Sequence, residues 1–538
     1  MNTLALGRAE VLQCDFSYIT DTLALFSHLT DDGQRKQTLL LESAAVDTRK
    51  HTQSLLLLDA ALEIRCQGLT VTIQALTENG RSLMPLISGK MPPEVQQSGS
   101  AERLRLTFPL PRRGTDEEQR LKALSPTEVL RTLIQRIQPR QDEPHAIFLG
   151  GVFAYDMIAS FESLPDVAEG INPCSDMVFY LAETLLVVDH IRETGRLLST
   201  IFGGECFSVS SRRITDRFAQ YVHQIQKFKA GLRLIGRRVA NNTVSVNVSD
   251  QEFCQQVRQL KQKIIAGDVF QVVPSRCFTI QCADSLQAYQ QLKFSNPSPF
   301  MFYLNDPEFV LFGASPEMAL KYSAERRQVE VYPIAGTRKR GKTTHGEIDP
   351  DLDSRIELEL RSDKKEVAEH LMLVDLARND LARISVQGSR HVAELLRVDR
   401  YSHVMHLVSR VVGTLRADLD ALHAYQACMN MGTLVGAPKI RAAELIRTVE
   451  KTRRGSYGGA IGYINGEGEM KTCIVIRSAC VVDGAAHIQA GAGVVYDSDP
   501  QAEADETRSK AQAVIHAIQC ANRIVNEASS PRTAPWVS

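Results

Sequence analysis

Several absences narrow what this chain can be. No run of about 18 consecutive apolar residues is present, so nothing reads as a membrane span, and Met1-Asn2-Thr3-Leu4 lacks the basic stretch and apolar core of a signal peptide. A cytoplasmic location is the expectation. The net charge is only −1, from 62 Lys plus Arg against 63 Asp plus Glu, and no basic footprint for nucleic acid appears. The 11 cysteines are odd in number and never spaced Cys-x-x-Cys, which fits reduced thiols better than a disulfide framework or a zinc site. No internal repeat or low-complexity tract is visible.

A chain of 538 residues with 43% hydrophobic and 23% charged residues is globular and too long for one ordinary core. Up to about Phe207, short strand-like runs (Leu39 to Leu41, Leu55 to Leu58, Leu185 to Val188) alternate with charged turns. Ser208 to Asp250 is hydrophilic and locally basic, and Ile214 to Lys229 has helical spacing, which predicts a surface helix followed by a linker. Ser249-Asp250-Gln251-Glu252 fits a capping box, and Phe253, Val257, Leu260 and Ile264 form the apolar stripe of a helix that Gly267 ends. A second domain starts there. The expected division is an N-terminal region over 1–240 and a second domain over 245–520. Phe270 to Val273, Phe309 to Phe312, Val329 to Ile334, Thr472 to Val482 and His487 to Val495 read as strands.

Carboxylates paired three residues apart, Glu366 with Glu369 and Glu503 with Glu506, would lie on single helix faces and aim two oxygens at one point. Val367, Leu371 and Val374 supply the opposite, apolar side of the first helix. Two such helices facing each other would make an oxygen cage suited to Mg²⁺, although an exposed Glu pair is more often a solvated face. Arg477 sits in the apolar run Cys473 to Ser478, where a charge needs either a structural salt bridge or an anionic ligand. Gln489-Ala490-Gly491-Ala492-Gly493 offers backbone N–H groups to such an anion. Gly432 to Lys439 lacks the Gly-Lys-Ser/Thr ending of a nucleotide loop, and Pro438 suits the start of a helix. Its N–H groups and the Thr433 hydroxyl remain available to a small anion. His403 and His406 have no third nitrogen or sulfur ligand nearby in sequence, so a single histidine poised as a proton carrier is preferred to a zinc pair.

Taken in order, Leu39-Leu40-Leu41-Glu42-Ser43, Asn296 to Met301, Gly313-Ala314-Ser315-Pro316-Glu317, Pro333 to Arg338, Asp375 to Asp380, Gly432 to Lys439 and Gly455 to Glu506 resemble the chorismate-binding enzymes over most of the chain. The resemblance implies a large α+β fold with two facing, mostly antiparallel sheets flanked by helices. Relatives that make 4-amino-4-deoxychorismate carry a nucleophilic lysine where this chain has Ala335, and isochorismate synthases place a water-activating lysine where it has Gln271. Ammonia therefore becomes the favoured attacking group, and the implied reaction is Mg²⁺-dependent conversion of chorismate and ammonia to anthranilate and pyruvate through aminodeoxyisochorismate, the first committed step of tryptophan synthesis.

Residue by residue, the resemblance implies Mg²⁺ on Glu369 and Glu506 with Glu366 and Glu503 in support, and Glu317 as the acid protonating the leaving hydroxyl. His406 assists the elimination, and Thr433 belongs with them. Gly336, Thr337, Tyr457, Arg477, Gly491, Ala492, Gly493 and Lys510 grip the substrate. Glu42 and Ser43 of the N-terminal region, with Pro299, Phe300 and Met301, match a tryptophan pocket for feedback inhibition, Phe300 standing where the family often has Tyr. No amidotransferase signature is present, which implies a separate glutamine amidotransferase subunit, with two copies of each chain in a heterotetramer. The competing expectations are a sister chorismate enzyme and a catalytically silent tryptophan sensor.

Overall fold

The computed structural model describes residues 4–44, 51–110, 116–229, 241–343, 346–401 and 404–529. His403 and the linker arginines Arg237 and Arg238 lie outside them. The fold is α+β with almost exclusively antiparallel pairing, as expected; the described strands join into one network of 23, where two facing sheets were implied, with a separate two-stranded ladder.

Alternating burial explains the strands. In Thr38–Ala44, Leu39 and Leu40 enter different apolar clusters on opposite faces. This strand pairs with His51–Gln67 on one side and with Phe300–Asn305 on the other. Phe148–Phe153 likewise pairs with Ala460–Asn465. Backbone ladders thus cross the sequence division between 1–240 and 245–520, so the two stretches build a common sheet.

Ser249 and Glu252 form the reciprocal capping box of helix Asp250–Ile265, and Gly267 follows at φ +82°. The basic stretch forms a longer helix than its spacing predicts, Phe207–Lys227, because Phe207 and Ser210 are already buried on its inner side. Asp363 accepts the N–H groups of Lys365 and Glu366 and starts helix Lys364–Ala382. Its buried face is His370, Leu373, Val374 and Ala377. Leu371, expected on that face, is 41% exposed.

Two strand expectations are corrected. Thr472 to Val482 is not one strand but two, Met470–Ile474 and Ser478–Val482. The first pairs with Ala460–Asn465 and Met318–Ser323, the second with Val310–Ser315 and Ala485–Gly491, and the chain changes partners through Arg477 at φ +50°. Val329 to Ile334 also divides, into Gln328–Val331 and Ile334–Lys339. No described helix is long and apolar enough to cross a membrane.

Candidate active site

Glu317 lies at the corner between strands Val310–Ser315 and Met318–Ser323. Its N–H donates to Ser315 Oγ (3.3 Å) and its carbonyl accepts from Ile474 N–H (3.0 Å), which fixes the corner. The carboxyl group is buried, accepts one hydrogen bond, from Thr433 Oγ (3.0 Å), and has no cation paired to it among the described residues. Burial pushes its pKa up to about 8, against small opposing pulls from Thr433 and Lys510. At neutral pH it is a carboxylic acid.

His406 comes from strand Val404–Thr414 opposite Thr337. Between Ala335 and Thr337 the register shifts at Gly336, whose φ of +70° suits glycine. Nδ1 of His406 lies 2.9 Å from Thr337 Oγ1 and 3.3 Å from the Gly336 carbonyl. A carbonyl only accepts, so that bond places the proton on Nδ1 and leaves Nε2 with a free lone pair. Burial, then the positive charges of Arg477 and Lys510, lower the pKa to about 4. The ring is neutral, with Tyr401 packed edge-on 5.1 Å away.

Arg477 donates Nη1 to the Lys510 carbonyl (2.9 Å) and makes no ion pair with a carboxylate among the described residues. Of the two alternatives for this arginine, the built-in salt bridge is not found among the described residues. Lys510 Nζ donates to the Gly491 carbonyl (3.0 Å) and pairs with Glu506 (2.6 Å). A Cβ at Gly491 would lie 2.8 Å from the Pro274 carbonyl and 3.0 Å from the Tyr457 hydroxyl, so only glycine lets the strand pass that close. The Ala492 N–H donates to Pro274 (3.1 Å), and Gly493 faces the Gln271 amide. Gln271 Oε1 is buried without a hydrogen-bond partner among the described residues.

The profile of the chorismate binding enzymes matches residues 96–516. An anthranilate synthase component 1 from Vibrio parahaemolyticus is 57% identical over 518 residues, 96% of this chain and 94% of its own. One from Escherichia coli K12 is 52% identical over 513 residues, 95% of this chain and 97% of its own. The chain belongs to the anthranilate synthase component 1 family. The crystal structure of anthranilate synthase component I from Streptococcus pneumoniae TIGR4 aligns with a TM-score of 0.67 at 27% identity, covering 86% of this chain and 92% of that one. The menaquinone-specific isochorismate synthase MenF from Escherichia coli shares the fold, with a TM-score of 0.65 at 17% identity and 96% of both chains covered.

The four metal-candidate carboxylates come from two helices, Lys364–Ala382 and Pro500–Ser529. Burial raises the Glu369 pKa, and after the opposing pull of Lys365, the charges of Glu366 and Glu506 raise it further. Burial likewise lifts Glu503 to about 7, with Glu506 adding to the rise, and Glu503 Oε2 is buried without a hydrogen-bond partner among the described residues. Mutually repelling carboxylates with an orphaned oxygen are a donor set that suits a hard divalent cation. Among the described residues, however, no three His, Cys, Asp or Glu side chains converge as a ready-made metal cluster. Glu366 is held by Arg338 (2.8 Å) and Glu506 by Lys510 (2.6 Å), so both would exchange a cation partner for the metal.

The tryptophan candidates meet where Ser43 pairs with Phe300 and the Ala44 N–H donates to the Pro299 carbonyl. A cavity of about 30 Å³ there is lined by Ser43, Phe300, Met301, Tyr463, Lys471 and Cys473 among others. Glu42 borders it too, with its carboxylate bound to Thr22 (2.6 Å), Tyr289 (2.7 Å) and Lys293 (2.7 Å). Sequence reasoning missed Lys471, a half-buried lysine whose amine is desolvated and its pKa lowered to about 8, and Arg338, which holds both Asp363 and Glu366. A lysine in a strand with alternating apolar neighbours was the available signal for the first. Nothing in the sequence foretold the second.

Proposed function

We propose that the chain is the large subunit of an anthranilate synthase, converting chorismate and ammonia to anthranilate and pyruvate, with the ammonia supplied by a glutamine amidotransferase subunit in a cytoplasmic heterotetramer. The observation that carries this reading is that the charge of Lys510 acts on two side chains of opposite proton state, the protonated acid Glu317 and the unprotonated His406, the second of which also feels Arg477. Two proton transfers of opposite sense need such a pair.

In the first half-reaction ammonia adds to C2 of the ring, the two ring double bonds shift, and the C4–O bond breaks. Glu317 delivers its proton to the departing hydroxyl, which leaves as water, and Thr433 holds the acid in place. Arg477, Tyr457, Lys510, Gly336, Thr337 and the backbone at Gly491, Ala492 and Gly493 orient the carboxylates and ring. In the second half-reaction Nε2 of His406 takes the C2 proton, the C3–O bond breaks, and the enolpyruvyl group leaves to become pyruvate as the ring turns aromatic. Glu369 and Glu506, supported by Glu366 and Glu503, would hold Mg²⁺, which when bound would neutralise the substrate carboxylate and draw electrons from the ring. Ala335 and Gln271 remove the lysines that serve the sister reactions. Tryptophan would act by opening the tight cavity at Ser43, Phe300 and Met301 and favouring a form poor at binding chorismate.

The test is product fluorescence from the purified chain with chorismate, Mg²⁺ and an ammonium salt, then with glutamine, then with tryptophan. Anthranilate from ammonium but not from glutamine, suppressed by tryptophan, is the expected result. Chorismate consumed without anthranilate would assign a sister reaction; tryptophan binding without turnover would assign a sensor.

A further inference from the structure

Arg454 is 1% exposed and belongs to none of the groups so far given a role. Its Nη1 donates to the Leu434 carbonyl (2.9 Å) and its Nη2 to the Val273 carbonyl (2.7 Å). Nε and Nη2 also grip the two oxygens of Glu450, at 2.9 and 2.5 Å. The guanidinium lies 4.5 Å from the Tyr155 ring centre and 5.6 Å from that of Tyr457. Glu450 Oε1 in turn accepts the N–H and hydroxyl of Ser275, both at 2.8 Å, and Ser275 Oγ accepts from Gln489 Nε2 (2.8 Å).

Each of these contacts is a step from the reaction site. Leu434 follows Thr433, which holds Glu317. Val273 precedes Pro274, whose carbonyl receives the Ala492 N–H, and Ser275 is the strand partner of Gly491. Tyr457, under the same guanidinium, has its hydroxyl beside Gly491. A planar fork that satisfies two carbonyls and a carboxylate at once fixes relative positions in a way that lysine, with one point of charge, does not.

We propose that Arg454 is a positioning residue for the reaction, its paired guanidinium clamping the segments that carry Thr433, Ala492 and Tyr457 into one geometry. This rests on the functional reading above. The clamp touches no substrate and works through the Thr433 contact with Glu317 and through the backbone that meets the substrate carboxylate.

The experiment measures ammonium-dependent anthranilate formation against pH by the full chain and by Arg454→Lys, Thr433→Val and the double variant. Failure of the unaltered chain to make anthranilate overturns the functional reading, and the clamp with it. With the unaltered chain active, Arg454→Lys should lower kcat about tenfold or more, in keeping with the cost of small misplacements. It should also move the alkaline limb upward, because Glu317 loses the Thr433 hydrogen bond that favours its charged form, and adding Thr433→Val should then cost little more. Activity within about twofold of the parent, an unmoved alkaline limb, or losses that simply multiply in the double variant would overturn the clamp alone. If Arg454→Lys does not fold, Glu450→Gln, nearly the same shape, replaces it with the same expected coupling to Thr433; an unchanged kcat and pH profile in that variant overturns the proposal.

Discussion

Around strand Thr38–Ala44, Glu42 is buried with three donors on its carboxylate, Lys293 among them, whereas Glu317, buried at its strand corner, has among the described residues only the Thr433 hydroxyl. Burial raises both pKa values. At Glu42 the charge and hydrogen bonds of Lys293, with Thr22 and Tyr289, overcome it and hold the group below the ordinary carboxylate range; at Glu317 nothing does, and the group is pushed up to about 8. The difference teaches that burial alone does not set the charge of a glutamate: the number and charge of its donors does. The N-terminal glutamate is a structural anion pinning Thr22, Tyr289 and Lys293 together, and the other is an acid with a proton to give.

The sharpest way to break this contrast is Glu317→Gln, which keeps the shape and removes the proton. Anthranilate formation should fall by about 10²–10⁴-fold, the usual worth of a positioned general acid, with chorismate still bound; turnover near the parent rate would remove Glu317 from the mechanism. Next in size, Lys293→Met strips Glu42 of its cation and should cost about 3 kcal/mol of unfolding free energy, measured by denaturant titration. A cost below about 0.5 kcal/mol would show that the hydroxyls of Thr22 and Tyr289 suffice.

The third consequence is a linkage. A folded-state pKa raised above the ordinary value stabilises the fold below that ordinary value, and the contribution is lost as pH rises through about 8. Between about pH 5 and 7 the parent should therefore lose on the order of 2 kcal/mol relative to Glu317→Gln, whose amide does not titrate. Parallel stability curves for the two proteins would contradict it. The smallest effect is expected for Thr433→Val: without its hydrogen bond the Glu317 pKa rises, so the alkaline limb of kcat moves up by less than about 1 unit, and a downward move would reverse the assigned role.

Much of this was legible in the sequence where local pattern decides structure. The Ser249 to Glu252 cap, the paired glutamates on two helices and the order of motifs from Leu39 to Glu506 are local or additive signals, and the α+β fold followed from them by resemblance. Arg477 was recognised as an oddity, but not as a residue at φ +50° between two strands, because a change of sheet partner depends on distant neighbours. Glu42 borders the cavity at Ser43 and Phe300, but the sequence does not show that its carboxylate is bound to Lys293, some 250 residues away. The clamp at Arg454 was invisible for the same reason. Its partners at 273, 434 and 450 carry no shared local signature.

The central claim is that Glu317 carries its proton at neutral pH while Glu42 does not. Infrared difference spectra between the parent and Glu317→Gln, recorded from about pH 5 to 9, test it directly through the carbonyl stretch of a protonated carboxyl group. The account predicts one carboxylic acid band in the difference spectrum, that of Glu317, which persists at pH 7 and fades near pH 8. A band already lost at pH 5 would contradict it and leave the leaving hydroxyl without its acid.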